Sequence, residues 1–196
     1  MSDEDRHSAV RRAFSNARRL QAMTRDVLDT ESIESGRFGY VRHPMDLREE
    51  VRTAVDAFDT GAANSVVLRV PDTPVMMEGD PDRIQQVLAN LLDNARKNAP
   101  PEIPIEISLE QTENVARLVV EDHGPGIDPD QLGRIFDKFV RGRAGAVTGT
   151  GLGLYISRRI VDAHEGRIWA ESSPGDVTSF IVELPCTNRV DTVVGA

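Results

Sequence analysis

A glycine-rich segment at residues 149–154, with the sequence Gly-Thr-Gly-Leu-Gly-Leu, stands directly before a pattern typical of a helix. The first backbone N–H groups of a helix have no intrahelical partner, and the positive end of the helix dipole lies there. Such a helix start can hold an anion such as phosphate. The same hexapeptide can equally be a flexible hinge before an ordinary helix. The candidate phosphate-binding residues are Gly149, Thr150, Gly151, Leu152, Gly153 and Leu154.

A second polar segment begins at Asp122, at the end of a predicted strand over residues 115–121. Gly124 and Gly126 follow it and permit a ligand to approach the backbone closely. The carboxylate of Asp122 can accept a hydrogen bond from an exocyclic amine such as that of adenine. A sequence of this kind is more often only a turn, so Asp122 alone does not establish a binding site.

A third segment lies on the predicted helix that Asp80-Pro81 opens and that runs to about residue 97. Asn90 and Asn94 lie one turn apart on it, beside the apolar face, so their amide oxygens can share a Mg²⁺ ion with phosphate oxygens. Lys97, in the next turn, can neutralise phosphate charge. Asparagine and lysine on a helix are usually solvated surface residues. Along the chain the three segments follow one another on a predicted helix, a strand end and a helix start, and together they indicate a nucleotide site.

The rest of the chain predicts an α+β fold, with helices on one face of a mostly antiparallel sheet. An N-terminal amphipathic helix precedes it, and Asp46 with Glu49 has the form of a capping box that opens a second helix. The predicted helices span residues 8–30, 46–58, 80–97, 130–139 and 152–164. The predicted strands span residues 65–70, 75–78, 103–109, 115–121, 167–171 and 178–184.

Charge and composition exclude several classes of function. The net charge of −9 argues against broad binding of nucleic acid, which needs a cationic face. The single cysteine, Cys186, cannot form an internal disulfide, which favours a reducing compartment. No apolar run approaches the roughly 20 residues that cross a bilayer, and the acidic N-terminus is unlike a secretory signal. We expect a cytoplasmic chain without membrane contact, whose parent protein can still be anchored.

These segments resemble the N, G1, F and G2 boxes of the catalytic ATP-binding domain of sensor histidine kinases. The resemblance runs over residues 46–184, and the F box reads Ile135-Phe136-Asp137-Lys138-Phe139. It implies the Bergerat fold of the gyrase, Hsp90 and MutL ATPases, a two-layer α/β sandwich. It also implies ATP and Mg²⁺ as cofactors and transfer of the γ-phosphate to a histidine.

The resemblance assigns roles to individual residues. Asn94 would be the principal Mg²⁺ ligand, with Asn90 supporting the metal and Lys97 contacting phosphate. Asp122 would bind the adenine amine. Arg141 would reach the γ-phosphate, so Asn90, Lys97 and Arg141 form the implied catalytic set. The remaining implied nucleotide contacts and lid anchors are Gly124, Gly126, Ile127, Phe136, Phe139 and residues 149–154.

Residues 20–38 resemble the end of the second helix of a dimerisation and histidine-phosphotransfer domain. The implied organisation is residues 1–36 as part of that domain, 37–45 as linker, 46–185 as catalytic domain and 186–196 as tail. Residues after His7 do not match the family's phosphoacceptor pattern, so we expect the acceptor histidine outside this chain. The four histidines are expected to be surface or packing residues: His7, His43, His123 and His164. The implied partners are a histidine-bearing domain in cis or trans and, indirectly, a response regulator. The N-terminal helix can pair with a second copy in a homodimer or fold back on the domain, so the oligomeric state stays open.

Two other classes of function stay open. Related ATPases use a glutamate as general base at the position of Asn90, which cannot accept a proton usefully, so the sequence favours a kinase. The second class is a regulatory or dimerisation module without kinase activity. Two departures bear on the lid and pocket: Asn98 stands where an aromatic residue is common, and the loop at residues 140–148 is short. Whether the chain is a piece of a larger kinase or a separate protein also stays open.

Overall fold

The computed structural model of the chain describes residues 3–58, 64–140, 150–173 and 175–187, with the side chains of most residues before Leu20 excepted. The chain forms two compact units, Met1–Gly39 and Tyr40–Ala196. Within the described residues no helix is both long and apolar enough to cross a membrane.

The first unit is a single helix, α1 (Asp3–Glu34), which is longer than the predicted helix at both ends. It ends just before Gly36, in the glycine-containing stretch that is predicted from the sequence to end the first helical domain, and glycine adopts the φ of +67° found at this residue without steric cost. The N–H of Gly36 donates to the carbonyl of Ile33, and the N–H of Arg37 donates to that of Ser32. This pair of hydrogen bonds is a Schellman motif, which satisfies carbonyls that the last turn leaves without partners.

The second unit contains one five-stranded sheet, one two-stranded sheet and four helices among the described residues. The large sheet has the strand order β2-β4-β5-β7-β6. Its β2–β4 pair is parallel and the other pairs are antiparallel, which confirms the predicted mixed, mostly antiparallel sheet. The elements are β1 (His43–Asp46), α2 (Leu47–Phe58), β2 (Val66–Arg69), β3 (Met76–Gly79), α3 (Pro81–Asn98), β4 (Ile105–Thr112), β5 (Val115–Asp122), α4 (Pro129–Leu132), α5 (Gly153–Ala163), β6 (Arg167–Ser172) and β7 (Thr178–Pro185).

The core lies between the large sheet and the layer of helices that contains α3 and α5. Side chains alternate between the two faces of a strand, and one set in β4 and β5 is buried. The apolar face of α3 packs on that side of the sheet, as its spacing predicted. The buried residues of this layer include Ile105, Ile107, Leu109, Ala116, Leu118 and Val120 from the strands, and Ile84, Val87, Leu88, Leu91, Leu92 and Ala95 from α3.

Two predictions about local structure were wrong. Residues 130–139 do not form one helix, because α4 ends at Leu132, Gly133 follows it, and Phe139 has a φ of +62° that no right-handed helix allows. The reciprocal contact of the capping box is also absent among the described contacts of Glu49. Its carboxylate pairs instead with Arg52, at 2.7 Å. The predicted strands are present with small shifts at their ends, and β1 was not predicted.

Asp46 does cap α2, and we expect Asp46→Ala to destabilise the second unit by about 1–3 kcal/mol. Its Oδ1 accepts the N–H groups of Arg48 and Val75, and the Arg48 guanidinium donates to the carboxylate. Burial would raise the pKa of Asp46, but the hydrogen bonds from Arg48 and Val75 outweigh it and hold the pKa below its usual 3.8. Chemical denaturation of the two proteins measures the difference.

A lowered pKa in the folded state sets the pH dependence of this contribution. It is present above the unfolded-state pKa of 3.8 and is lost as the pH falls through the lower folded value. The difference in free energy of unfolding between the wild type and Asp46→Ala should therefore decrease only below about pH 4. Asp56→Ala, on the exposed side of the same helix, is the control and should change stability little. An equal loss in both variants would contradict a capping role for Asp46.

Candidate functional site

The helix α3 presents the asparagines because its start and its apolar face are both fixed. Asp80 accepts the N–H of Arg83 at 3.2 Å as the N-cap residue, and Pro81 occupies the first turn. Asn90 and Asn94 are partly exposed, beside the buried face. This placement agrees with the face predicted for them from helical spacing.

Asn90 is held against the start of α5. Its side-chain Nδ2 donates to the carbonyl oxygen of Gly153 at 3.1 Å and to the hydroxyl oxygen of Ser157 at 3.2 Å. A Cβ added at Gly153 would lie 3.4 Å from the Asn90 amide, which is ordinary van der Waals contact, so the start of α5 lies directly against Asn90. Asn90 of α3 and Gly153 at the start of α5 are far apart in sequence, and they are therefore in direct contact in the fold.

Lys97 and Asp93 form an ion pair at the end of α3, with a separation of 2.5 Å between Nζ and Oδ2. Arg96 also contacts the Asp93 carboxylate, at 2.7 Å. Burial would raise the pKa of Asp93, but the hydrogen bonds and positive charges of Lys97 and Arg96 outweigh it and lower the pKa. Asp93 therefore stays ionised at neutral pH and holds Lys97 beside the last turn of the helix.

Asp122 ends the central strand β5 and is 2% exposed. Its Oδ1 accepts the N–H of Gly124 at 3.0 Å. Burial raises the pKa of this carboxyl to about 6, against smaller opposing effects of the Gly124 hydrogen bond and of His123. No other donor of the described part of the chain bonds to the carboxylate. A buried carboxylate with spare acceptor capacity is suited to a ligand amine.

Gly124 brings the adenine-binding candidate against the end of α3. A Cβ at this position would lie 2.7 Å from the backbone oxygen of Asn98 and 2.7 Å from Oδ1 of Asp122. The side chain of Asn98 donates to the carbonyl oxygen of Asn94 at 2.8 Å. Gly126 has a φ of +81°, which turns the chain after the strand. The turn that follows Asp122 and the end of α3 are therefore in direct contact.

Two residues of this region were not predicted. Thr178 lies directly opposite Asp122 in the register of β5 and β7, and it is 4% exposed. Its hydroxyl is 2.9 Å from that of Ser172, which accepts the N–H of Ile127 at 2.9 Å. Only the strand register brings Thr178 and Ser172 here, and no local sequence signal indicates them.

The two phenylalanines of the F box have different environments. Phe136 is 5% exposed, and its ring meets that of Phe180 edge to face at 6.4 Å between centroids. Phe139 is 68% exposed, and its N–H donates to the carbonyl oxygen of Gly151 at 2.9 Å. Phe136 therefore anchors this segment in the core, and Phe139 is tied to the glycine segment through its backbone.

The described part of the glycine segment forms the start of α5. Gly151 has a φ of +71°, and a Cβ there would lie 2.9 Å from the backbone of Phe139. The N–H of Leu152 donates to Oγ1 of Thr150 at 3.2 Å, and α5 has no side-chain hydrogen bond at its N-cap. Among the described residues, therefore, no side chain caps the first turn of α5. Arg141 and Gly149 lie outside the described residues.

The histidines whose side chains are described occupy surface or packing positions, as expected. His164 is buried, accepts the N–H of Asp80 on Nε2 at 2.9 Å, and stacks near Tyr40 with 5.4 Å between ring centroids. His43 is exposed on β1, and His123 lies 3.2 Å from the carbonyl oxygen of Asp176. The side chain of His7 lies outside the described part of the structure.

Comparison with known proteins gives consistent similarities. Residues 79–188 match the family described as "Histidine kinase-, DNA gyrase B-, and HSP90-like ATPase". The sensor protein KdpD of Escherichia coli is 37% identical over 179 residues, which cover 91% of this chain and 20% of that protein. The sensor protein kinase WalK of Staphylococcus haemolyticus is 32% identical over 174 residues, covering 86% of this chain and 29% of WalK. The chain thus spans about a fifth to three tenths of the length of these relatives.

Solved structures agree with the fold. The mycobacterial sensor histidine kinase MprB superposes with a TM-score of 0.69 at 28% identity, covering 74% of this chain and 99% of that chain. A structure of the catalytic domain of histidine kinase ThkA superposes with a TM-score of 0.66 at 31% identity, covering 74% of this chain and 98% of that chain. The α+β architecture predicted from the sequence is therefore confirmed.

Proposed function

We propose that this chain, which belongs to the family of histidine kinase-, DNA gyrase B- and HSP90-like ATPases, is the catalytic ATP-binding part of a sensor histidine kinase. The observation that carries the proposal is the meeting of three segments distant in sequence. Asn90 bonds to Gly153 at the start of α5, and Gly124 contacts Asn98 at the end of α3. These contacts support a single site that combines donors for phosphate, ligands for a cation and an acceptor for adenine.

Asp122 binds the adenine. Its carboxylate accepts the exocyclic N–H of the base, with Gly124 and Gly126 forming the floor beside it. Thr178 faces Asp122 across the strand pair and offers a second polar group to the base. Ile127, the next residue after Gly126, borders the base with its backbone and side chain.

The residues of α3 and α5 fit Mg²⁺ and phosphate. Amide oxygens are hard ligands of the kind that Mg²⁺ prefers. Mg²⁺ usually has few protein ligands, because substrate phosphate oxygens and water molecules fill its other coordination positions. The described residues contain no cluster of three or more histidine, cysteine, aspartate or glutamate side chains that could hold a metal. Asn94 is the main protein ligand and Asn90 supports it. A Mg²⁺ ion held by these residues would supply charge neutralisation for the phosphates.

The remaining phosphate contacts come from cations and backbone. Lys97, which pairs with Asp93 in this structure, would contact the phosphates. Arg141, which lies outside the described residues, would contact the γ-phosphate. Backbone N–H groups at residues 149–154 hold the phosphate chain at the positive end of α5. Phe136 and Phe139 connect the segment before this loop to the core and to Gly151.

The reaction is transfer of the γ-phosphate to a histidine nitrogen in another domain. A phosphorus–nitrogen bond forms as the bond to the β,γ-bridging oxygen breaks, and ADP leaves. Asn90 offers no general base for water, which favours phosphotransfer over ATP hydrolysis. The histidine-bearing domain acts in cis or in trans and passes phosphate to a response regulator. In the domain division proposed from the sequence, residues 1–36 belong to the helical domain, where exposed Leu20, Val27 and Leu28 suit pairing with a second copy.

Calorimetric titration with ATP, with and without Mg²⁺, tests the site. We expect Mg²⁺ to strengthen binding in the wild type, and Asn94→Ala to remove most of that gain, weakening binding about tenfold or more in Mg²⁺. Binding without Mg²⁺ should change little, because Asn94 acts through the ion. Asn114→Ala, in the β4–β5 turn, is the matched control and should bind like the wild type.

Phosphotransfer needs its own assay. The chain is incubated with γ-labelled ATP and, as a separate protein, the histidine-bearing helical hairpin of a sensor kinase. Acid-labile label on the hairpin supports the kinase reading. ATP binding without transfer to any hairpin would favour a regulatory module, and no ATP binding at all would refute the proposed site.

A further inference from the structure

Ser157 carries the one hydroxyl group among the buried residues of α5, which are otherwise Ile156, Ile160 and Val161. It lies on α5 next to the fully buried Ile156, and it is itself 0% exposed. A buried hydroxyl is costly unless it is hydrogen-bonded. Its Oγ lies 3.2 Å from Nδ2 of Asn90 on the facing helix. The serine thus has its partner on the helix that carries the proposed Mg²⁺ ligands.

The partners of Asn90 determine which way its amide points. The carbonyl oxygen of Gly153 can only accept, so the atom that meets it at 3.1 Å is the amide nitrogen. Ser157 takes the second N–H of the same nitrogen. Both donors of the amide are then used, which leaves its oxygen as the acceptor that can meet a ligand. No hydrogen-bond donor in the described residues reaches that oxygen.

We infer that Ser157 is a positioning residue, which locks the Asn90 amide so that its oxygen is presented to the Mg²⁺–phosphate group. The inference rests on the function proposed above and adds a residue to it. Asn90 touches the ligand, and Ser157 acts through Asn90. The torsion that turns an asparagine amide is broad and two-fold, so one hydrogen bond to Gly153 restrains it less than two do.

Loss of the hydroxyl has a selective consequence. In Ser157→Ala one N–H of Asn90 loses its partner, and the amide samples orientations that direct nitrogen toward the metal. Mg²⁺ does not coordinate an amide nitrogen, whereas phosphate oxygens can still accept its N–H groups, so the loss falls on the metal contact. The gain in ATP affinity that Mg²⁺ provides should fall by about five- to tenfold, while the affinity for adenosine, which has no phosphate, stays within about twofold.

The test titrates the full chain with ATP in Mg²⁺, with ATP in excess chelator and with adenosine. Ser157→Ala removes the hydroxyl, and Ser157→Cys keeps the side-chain volume but replaces oxygen with a weak acceptor. Ser179→Ala is the control, because it removes a hydroxyl that donates to Glu121 at 2.7 Å on the other face of the sheet. Thermal unfolding of each variant shows that the fold is retained.

The expected result is a selective loss of the Mg²⁺-dependent gain in both the alanine and the cysteine variants, with Ser179→Ala unchanged. Three results would overturn the inference: an unchanged Mg²⁺ gain in Ser157→Ala, an equal loss with adenosine and Mg·ATP, or a cysteine variant indistinguishable from wild type. The second indicates general damage to the site and the third a role for volume alone. Failure of the proposed function looks different, because the wild type itself would then bind no ATP.

Discussion

Replacement of Asp122 by asparagine is expected to abolish measurable ATP binding and, at neutral pH, to stabilise the chain without nucleotide. The Gly124 N–H bonds to Oδ1 of residue 122. In the variant this bond keeps the amide oxygen on that side and directs the NH₂ group toward the adenine amine, so two donors face each other. Losing one partner of a buried hydrogen bond and adding a donor clash should weaken binding by about a hundredfold or more.

The gain in stability follows from the pKa of Asp122, which burial raises from 3.8 to about 6. A raised carboxyl pKa means that the folded state favours the protonated form. The protonated Asp122 carboxyl contributes its full stabilisation below about pH 4, and this contribution is lost as the pH rises through about 6. Asparagine has no charge to bury, so Asp122→Asn should exceed the wild type by about 1–3 kcal/mol at pH 7 and by little near pH 4.

Urea denaturation at several pH values and calorimetry with ATP measure the two effects. Wild-type affinity for adenosine should also fall as the pH drops below about 6, since the protonated carboxyl loses acceptor capacity. Adenosine is the probe because it has no phosphate to titrate. Asp130→Asn, on the exposed first turn of α4, is the control for both measurements. ATP binding retained by Asp122→Asn would contradict the adenine role.

The parts of the fold that the sequence predicted are those set by local chemistry. The start of α3 is determined by the Asp80 cap and Pro81, and its buried face by apolar spacing, so the exposure of Asn90 and Asn94 followed without tertiary information. The end of α1 at Gly36 is equally local, because its positive φ belongs to glycine. Helices and strands with such signals were predicted within a few residues.

The errors occur where tertiary contacts override helical patterning. Residues 130–139 contain apolar positions at helical spacing, yet Phe136 turns into the core against Phe180, and Phe139 adopts a left-handed backbone beside Gly151. The four-residue strand β1 depends on pairing with β3, which the sequence of β1 alone does not indicate. Propensity is a weak predictor when long-range pairing supplies the stabilisation.

The candidate site divides in the same way. Asp122, Asn94 and the glycines stand in short motifs whose chemistry is readable from residue type. Ser157, Ser172 and Thr178 are ordinary hydroxyl residues in sequence, and only helix packing and strand register bring them to the site. Sequence alone could not assign these three residues to the site, because their partners there are distant in the chain.

Gly124→Ala is expected to weaken ATP binding and to destabilise the fold. Its effect reports the steric cost of an added Cβ, because no cost of backbone conformation accompanies it. The backbone of Gly124 does not have a positive φ, so alanine meets no conformational penalty there. Its Cβ would instead lie 2.7 Å from the backbone oxygen of Asn98 and 2.7 Å from Oδ1 of Asp122. Backbone at the end of α3 cannot yield as a flexible side chain would, so the turn must move away from the helix.

The displacement should cost about 1–3 kcal/mol of stability and weaken ATP binding about a hundredfold or more, because it separates the adenine acceptor from the helix that holds the phosphates. Gly133→Ala is the matched control: its φ is −69°, and an added Cβ meets nothing within 4 Å. Denaturation and calorimetry on both variants measure the effects. If Gly124→Ala lost stability but kept its affinity for ATP, the contact with Asn98 would be structural only, and Asp122 would bind the base without needing its present distance from α3.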